Sequence, residues 1–441
     1  MQRLASGRGG TCFRIFPQAP FLAAYRNAVT IELSPPAGSV GIGPHDQRMC
    51  VIRPMGKLES YGEELVRSGG RAAVLPPWRG PLAPPARPAA DGGFAHLDTA
   101  DPTFEQAHAY ACVRLALDVW EQYLGVQIPW YFGGRYLEIG LLGQHYQNGE
   151  VGRGWLELGY DVSPDQPPHA FALNLDVIAH EVGHLIVYGI VGEPNPQHAE
   201  AEYGGFHEAF ADLAALLAVA HVDVVVDQVM ERTRGNLYGA NELNRLAELS
   251  ATTQIRMASN SAKMSEFVLG WSDEHDLAEP LLGAIFDVLL DLYQADLVER
   301  GLIPASLAAE SEERGHLRSF APLIQREYDR WYRRAPGQFR LALADSRDRL
   351  GLWLARMLWR LRGSDVTYGA VANALLEADA WTGGRFRRRI VECFAWREIG
   401  LVPIGPFLGS RRRAAAALLF GVHRCANRRL QPSQNHHVIP V

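Results

Sequence analysis

The stretch His180-Glu181-Val182-Gly183-His184 constrains this chain more than any other part of it. Two histidines four apart stand one above the other on a helix, so both imidazoles face the same way. Glu181 follows the first of them, close enough to act on a water held at a shared metal ion. The flanks are apolar: Leu175-Asp176-Val177-Ile178-Ala179 runs in, and Leu185-Ile186-Val187-Tyr188 runs out. Such a composition predicts a buried helix. Burying two histidines and a glutamate is costly unless they are paired or bound to a metal. The spacing therefore predicts a metal-binding helix inside the fold, with a satisfied structural pair of histidines as the competing reading.

A zinc ion on two histidines takes a third protein ligand and keeps one position open. The segment Tyr203 to Leu213 supplies the candidate. Glu208 comes 24 residues after His184, which leaves room for a turn and the start of a second helix. Asp212 is one helical turn further on, where it can accept the free ring N–H of a zinc-bound histidine. Such a carboxylate fixes the tautomer and raises ligand basicity. Gly204-Gly205 reads as a close approach followed by the helix start. His207, a helical neighbour of Glu208, is expected to point elsewhere and not to share its target. The competing reading is a surface carboxylate pair, and the apolar flanks Phe206, Ala209, Phe210 and Leu213 weigh against it.

Asp176 to His184 followed by Phe206 to Asp212 resembles the thermolysin-like and fungalysin-like gluzincin peptidases. Their pattern is D-[VI]-[VI]-A-H-E-x-x-H, then an N-E-A-x-x-D helix; His207 stands where the family has asparagine. Phe104–Leu124, and Tyr368–Ala378 with Ile390–Gly400, extend the likeness weakly across residues 94–402. The resemblance implies one zinc ion per chain on His180, His184 and Glu208, with Glu181 as general base and Asp212 orienting a histidine. It also implies an α+β, thermolysin-like two-lobe fold: a mixed α/β lobe, then a mostly helical lobe, with the zinc helix at the seam. In that family a histidine ahead of an apolar helix binds the developing oxyanion. This implies His275 in that role, opposite Glu181, its ring held by Asp273, Glu274 or Asp276, with Tyr203 as a second donor. Arg256 is a possible partner for a substrate carbonyl, although nothing around it in the sequence singles it out. Relatives often bind calcium through the aspartate before the zinc helix and acids after the third ligand. Leu213 to His221 contains no acid, so calcium is not expected, and Asp176 is given a structural role such as a helix cap.

The chain has 441 residues, 47% hydrophobic and 21% charged, with a net charge of −6. That length suits two or three domains, and the mild acidity argues against nucleic acid as a main partner. Five scattered cysteines without C-x-x-C spacing read as reduced thiols. Phe16 to Tyr25 is broken by Pro17 and Pro20 and makes a poor signal segment. No apolar run approaches a membrane span. A cytoplasmic location is the expectation, with secretion left open. The boundaries read as an extension over 1–93 ending in a proline-rich strap (Pro76 to Pro88), an α+β lobe over 94–195 carrying the zinc helix, and a mainly helical lobe over 196–402. A basic tail over 403–441 follows, expected to be mobile. Strand-like pieces fall at Val29–Leu33, Met49–Ile52 and within Trp130–Tyr160. Helices are expected at Ile285–Leu297, Leu350–Leu361 and Val366–Ala378.

The expected activity is zinc-dependent hydrolysis of peptide bonds in peptide or protein substrates. An endopeptidase is favoured because the glycine-methionine-glutamate-asparagine motif of zinc aminopeptidases is missing. Two other readings stand beside it. One is a catalytically silent gluzincin-fold binding module, against which an intact Glu181 argues. The other is a processing peptidase dedicated to one partner or to itself.

Overall fold

Alternating burial along Gly10–Ile15 (β1) turns Thr11, Phe13 and Ile15 inward, and Val29–Pro36 (β2) pairs with it antiparallel. In the computed structural model the described residues are 9–62, 76–133, 136–162, 167–194, 201–248, 254–268, 270, 274–315, 317 and 319–401. The tail over 403–441 and Asp273 therefore lie outside the described residues.

Met49–Ile52 (β3) opens the main sheet, with Met49 and Val51 buried. Between it and the next strand runs Phe104–Leu124 (α1), an apolar helix that ends on Gly125 in the left-handed conformation, φ 70°. Leu137–Leu141 (β4), Gly149–Gly152 (β5) and Trp155–Leu158 (β6) complete four strands in the order β3-β4-β6-β5. The first two pairings are parallel and the last antiparallel, so β5 is an edge strand. Glu138, Glu150 and Glu157 line up on neighbouring strands, which is costly without partners. Lys57, Ser60, Tyr61, Trp78 and Tyr146 supply them. Lys57 pairs with Glu157, Ser60 and Tyr146 donate to Glu150, and the Tyr61 hydroxyl and Trp78 N–H donate to Glu138 at 2.7 and 2.9 Å. The proline-rich stretch then runs extended beside Arg53–Met55, with Met55 N–H donating to the Pro81 carbonyl.

Two short strands, Tyr160–Asp161 (β7) and His169–Ala170 (β8), lead into Leu175–Ile190 (α2). From there helices dominate: Ala201–Val219 (α3), Asp223–Thr233 (α4), and, after the hairpin Arg245–Glu248 (β9) and Gln254–Met257 (β10), Glu274–Glu299 (α5). Ala305–Arg314 (α6), Ala321–Tyr332 (α7), Pro336–Arg360 (α8), Tyr368–Trp381 (α9) and Arg387–Trp396 (α10) follow. The architecture is α+β, small sheets first and helices after, with α2 at the junction. Leu175, Ile178, Val182, Leu185, Ile186 and Val187 of α2 are at most 1% exposed. Each such burial is worth about 1.5–3 kcal/mol, which is what holds a helix carrying Asp176, His180, Glu181 and His184 inside the core. Among the described residues no single helix is long and apolar enough to cross a membrane.

Candidate metal centre

Asn174 caps α2, its side chain accepting from the Asp176 N–H at 3.0 Å. The capping role expected of Asp176 therefore belongs to Asn174, two residues earlier. Asp176 instead accepts from Gln18 at 3.2 Å and ties the N-terminal segment to this helix. One turn in, His180 and His184 share a face. Their rings stand perpendicular, 88° apart, and their Nε2 atoms are 3.1 Å from each other.

The second half of the site arrives on α3, and Gly183 decides how closely. A Cβ on Gly183 would lie 2.6 Å from the Ala211 Cα, so only glycine lets the helices cross here. Ala211 sits between Glu208 and Asp212, and the crossing delivers both. Glu208 Oε2 is 3.3 Å from His180 Nε2, and Glu208 Oε1 is 3.6 Å from His184 Nε2. Asp212 Oδ1 accepts from His180 Nδ1 at 2.8 Å. Gly204 and Gly205 do not start the helix, which begins at Ala201. They let α5 and α9 pack on it: a Cβ on Gly204 would strike the Glu274 carboxylate, and one on Gly205 the Tyr368 hydroxyl.

Whether these residues fit a metal follows from their spacing. Tetrahedral bonds of about 2.0–2.2 Å separate ligand atoms by roughly 3.3–3.6 Å. The three donor separations are 3.1, 3.3 and 3.6 Å. Because His180 Nδ1–H is committed to Asp212, a neutral ring turns its Nε2 lone pair toward Glu208. Burial lowers the affinity of that nitrogen for a proton, but the hydrogen bonds to Asp212 and Glu208 overcome this and raise His180 to about 9. The pocket thus favours a positive charge at the place where a cation would sit, and proton and metal compete for the same lone pair. Burial pushes His184 well below the usual range, leaving it neutral and able to donate. Burial opposes ionisation of Glu208, yet the surrounding His184, His180 and His275 rings hold its carboxyl well below the usual range. Among the described residues two groups could hold a metal ion, His180 with Glu181 and His184, and His184 with His207 and Glu208.

Glu181 is 7% exposed and lies against β5, where a Cβ on Gly149 would come 3.4 Å from its Oε1. Burial raises its carboxyl to about 7, with Glu208 and Glu150 adding to the rise and His180 opposing it. His275, in the first turn of α5, places Nε2 3.1 Å from Glu208 Oε2, with 41% of its side chain exposed. It stands on the Glu208 side of the cluster.

Three sequence expectations change here. Tyr203 does not turn its hydroxyl to the cluster as a second oxyanion donor; it donates to the Gly192 carbonyl at 2.9 Å. His207 does not point away from the site. Its ring lies flat on that of His184, centroids 4.3 Å apart at 19°. Burial lowers His207 to about 4, partly offset by Glu208. Arg256, which the sequence left without a context, grips Asp212 through Nε at 2.6 Å and Nη2 at 2.7 Å. Its guanidinium is therefore directed at Asp212, behind His180. The hairpin β9–β10 brings it there from 44 residues away, and no local pattern announces it.

Fold and site together define an α+β chain whose junction helix carries a histidine–carboxylate cluster spaced for a metal ion. No protein-family model matches the sequence, and no curated protein sequence matches it. Solved structures do. One is the precursor of protealysin, a metalloproteinase from Serratia proteamaculans, similar at 12% identity and a TM-score of 0.42 over 84% of this chain and 90% of that one.

Proposed function

We propose that this chain is a zinc-dependent peptidase, with an endopeptidase favoured. The observation that carries the reading is the convergence of His180 Nε2, His184 Nε2 and the Glu208 carboxylate at separations of 3.1, 3.3 and 3.6 Å, with Glu181 buried beside them. His180, His184 and Glu208 would hold the ion, and Asp212 with Arg256 would fix the His180 ring. A zinc ion there supplies a Lewis acid and acidifies water.

The remaining work falls to side chains and one strand. Glu181, raised to about 7, suits a general base that takes a proton from water and returns it to the leaving amine near neutral pH. His275, partly exposed with Nε2 3.1 Å from Glu208 Oε2, would serve as donor to an oxyanion once a bound cation takes up that carboxylate. Among the described residues no strand pairs with the outer side of β5, whose Gly149 abuts Glu181. An extended peptide could add there as a further strand, main chain to main chain, which suits cleavage within a chain.

Glu181→Gln tests the mechanism. The amide keeps the shape of the carboxylate but cannot accept the proton, so casein hydrolysis should fall about 10²–10⁴-fold with zinc content unchanged. Near-full activity in that variant would remove the reading. A chain that holds zinc yet never cleaves casein would favour the dedicated or silent alternatives.

A further inference from the structure

The two histidines of α2 are supported in different ways. Behind His180 stand Asp212 and Arg256, joined by short hydrogen bonds. Among the described residues His184 has no such counterpart: its Nδ1 is buried and has no hydrogen-bond partner. What lies against it is the flat face of His207. The Tyr188 ring packs on His207 at 4.4 Å, and the Tyr203 ring lies nearly parallel to it at 5.7 Å and 21°. The sequence arranges this simply. His184 and Tyr188 are one turn apart on α2, and Tyr203 and His207 are one turn apart on α3, so rings from the two helices interleave. The Tyr203 hydroxyl, fixed on the Gly192 carbonyl, anchors the far end.

We propose that His207 is a positioning residue for His184, its stacked ring taking the place of the hydrogen bond that a metal-bound histidine ordinarily makes through its second nitrogen. The inference rests on the zinc reading above. Rotation of an imidazole about its last side-chain bond is soft. With no partner at Nδ1 among the described residues, the His184 ring is held by packing and by the contacts of Nε2 itself with His180 and Glu208. A ring that gives its lone pair to a cation becomes electron-poor, and an adjacent aromatic face suits it. The His207 Nε2 is itself buried without a hydrogen-bond partner. Since His184, His207 and Glu208 also offer ligand atoms within 4.8 Å of one another, replacing the ring by phenylalanine decides between stacking and the nitrogen.

The test uses the full chain, stripped of metal, with zinc titrated against a chromophoric chelator. His207→Ala removes the stack and should weaken zinc about 10–100-fold, the range for loss of an outer support. His207→Phe keeps a flat ring and should bind zinc close to wild type, with an unchanged cobalt absorption spectrum. Rescue by phenylalanine separates stacking from any role of the nitrogen. If His207→Phe binds as weakly as His207→Ala, the nitrogen is needed and the proposal is overturned. Wild-type affinity in His207→Ala overturns it equally. A wild-type chain that takes up no zinc overturns the metal centre itself, before the variants are compared.

Discussion

Replacing Gly183 with alanine asks whether the helix crossing, beyond the motif, makes the site. The added Cβ would lie 2.6 Å from Ala211 Cα, 3.0 Å from Ala214 Cβ and 3.1 Å from Ala211 Cβ. Carbon atoms settle at about 3.5–4.0 Å, so α2 and α3 must part by roughly 1 Å. The first obstacle is backbone, which cannot swing aside as a side-chain tip does. Parting the helices carries Glu208 and Asp212 away from His180 and His184 together, whereas metal–ligand distances tolerate only about 0.2 Å. Stability should change little by comparison. A helix-propensity gain of about 1 kcal/mol offsets part of an overpacking cost of about 1–3 kcal/mol, for a net loss of about 0–2 kcal/mol. Zinc affinity should fall by at least about tenfold, as when an outer support is lost. Urea unfolding of the metal-free chain measures the first quantity, and chelator competition the second. A folded Gly183→Ala variant with wild-type zinc affinity would refute the reasoning.

Two further outcomes follow from buried polar groups. Asp212→Ala strips His180 of its acceptor and leaves Arg256, 9% exposed, without its carboxylate. Zinc affinity should drop about 10–100-fold and the metal-free chain should lose about 3–5 kcal/mol, both read in the same titrations; a loss in only one would separate the two roles assigned to Asp212. His108 is wholly enclosed, accepting from the Phe16 N–H at 3.0 Å, and burial lowers it to about 4. Its unfolded ring takes up a proton below about pH 6.5, which the folded ring refuses until near pH 4. Its stabilising contribution is therefore complete above pH 6.5 and lost as pH falls toward 4, at roughly 1 kcal/mol per pH unit. Urea midpoints at pH 7 and pH 5 should differ more in wild type than in His108→Gln; equal differences would rule this out.

What the sequence disclosed depended on how local the signal was. The Phe104–Leu124 helix was legible at both ends because its apolar run stops at a glycine able to take a left-handed turn. Met49–Ile52 showed as a strand for the same local reason. The helix Glu274–Glu299 was legible from the apolar run that begins at Leu281, and its polar first turns before Pro280 were not. Glycine stands at 283 because the Arg397 guanidinium occupies the space where a Cβ would go. Likewise Pro336–Arg360 was visible only in its last turns, its first half being too polar to show a core stripe. Within the site, His180, Glu181, His184, Glu208 and Asp212 sit on two helical faces whose spacing is written in the chain, and the structure brings them together. Arg256, the stacked His207 and the anchored Tyr203 depend on which helix or hairpin meets which. That information is tertiary, and neighbour-by-neighbour periodicity does not contain it.

Anomalous diffraction at the zinc edge, from crystals of the full chain purified without chelator, tests the metal centre most directly. One peak per chain is expected, within about 2.0–2.2 Å of His180 Nε2, His184 Nε2 and a Glu208 oxygen. A peak elsewhere, or no peak even after zinc is added, would contradict it.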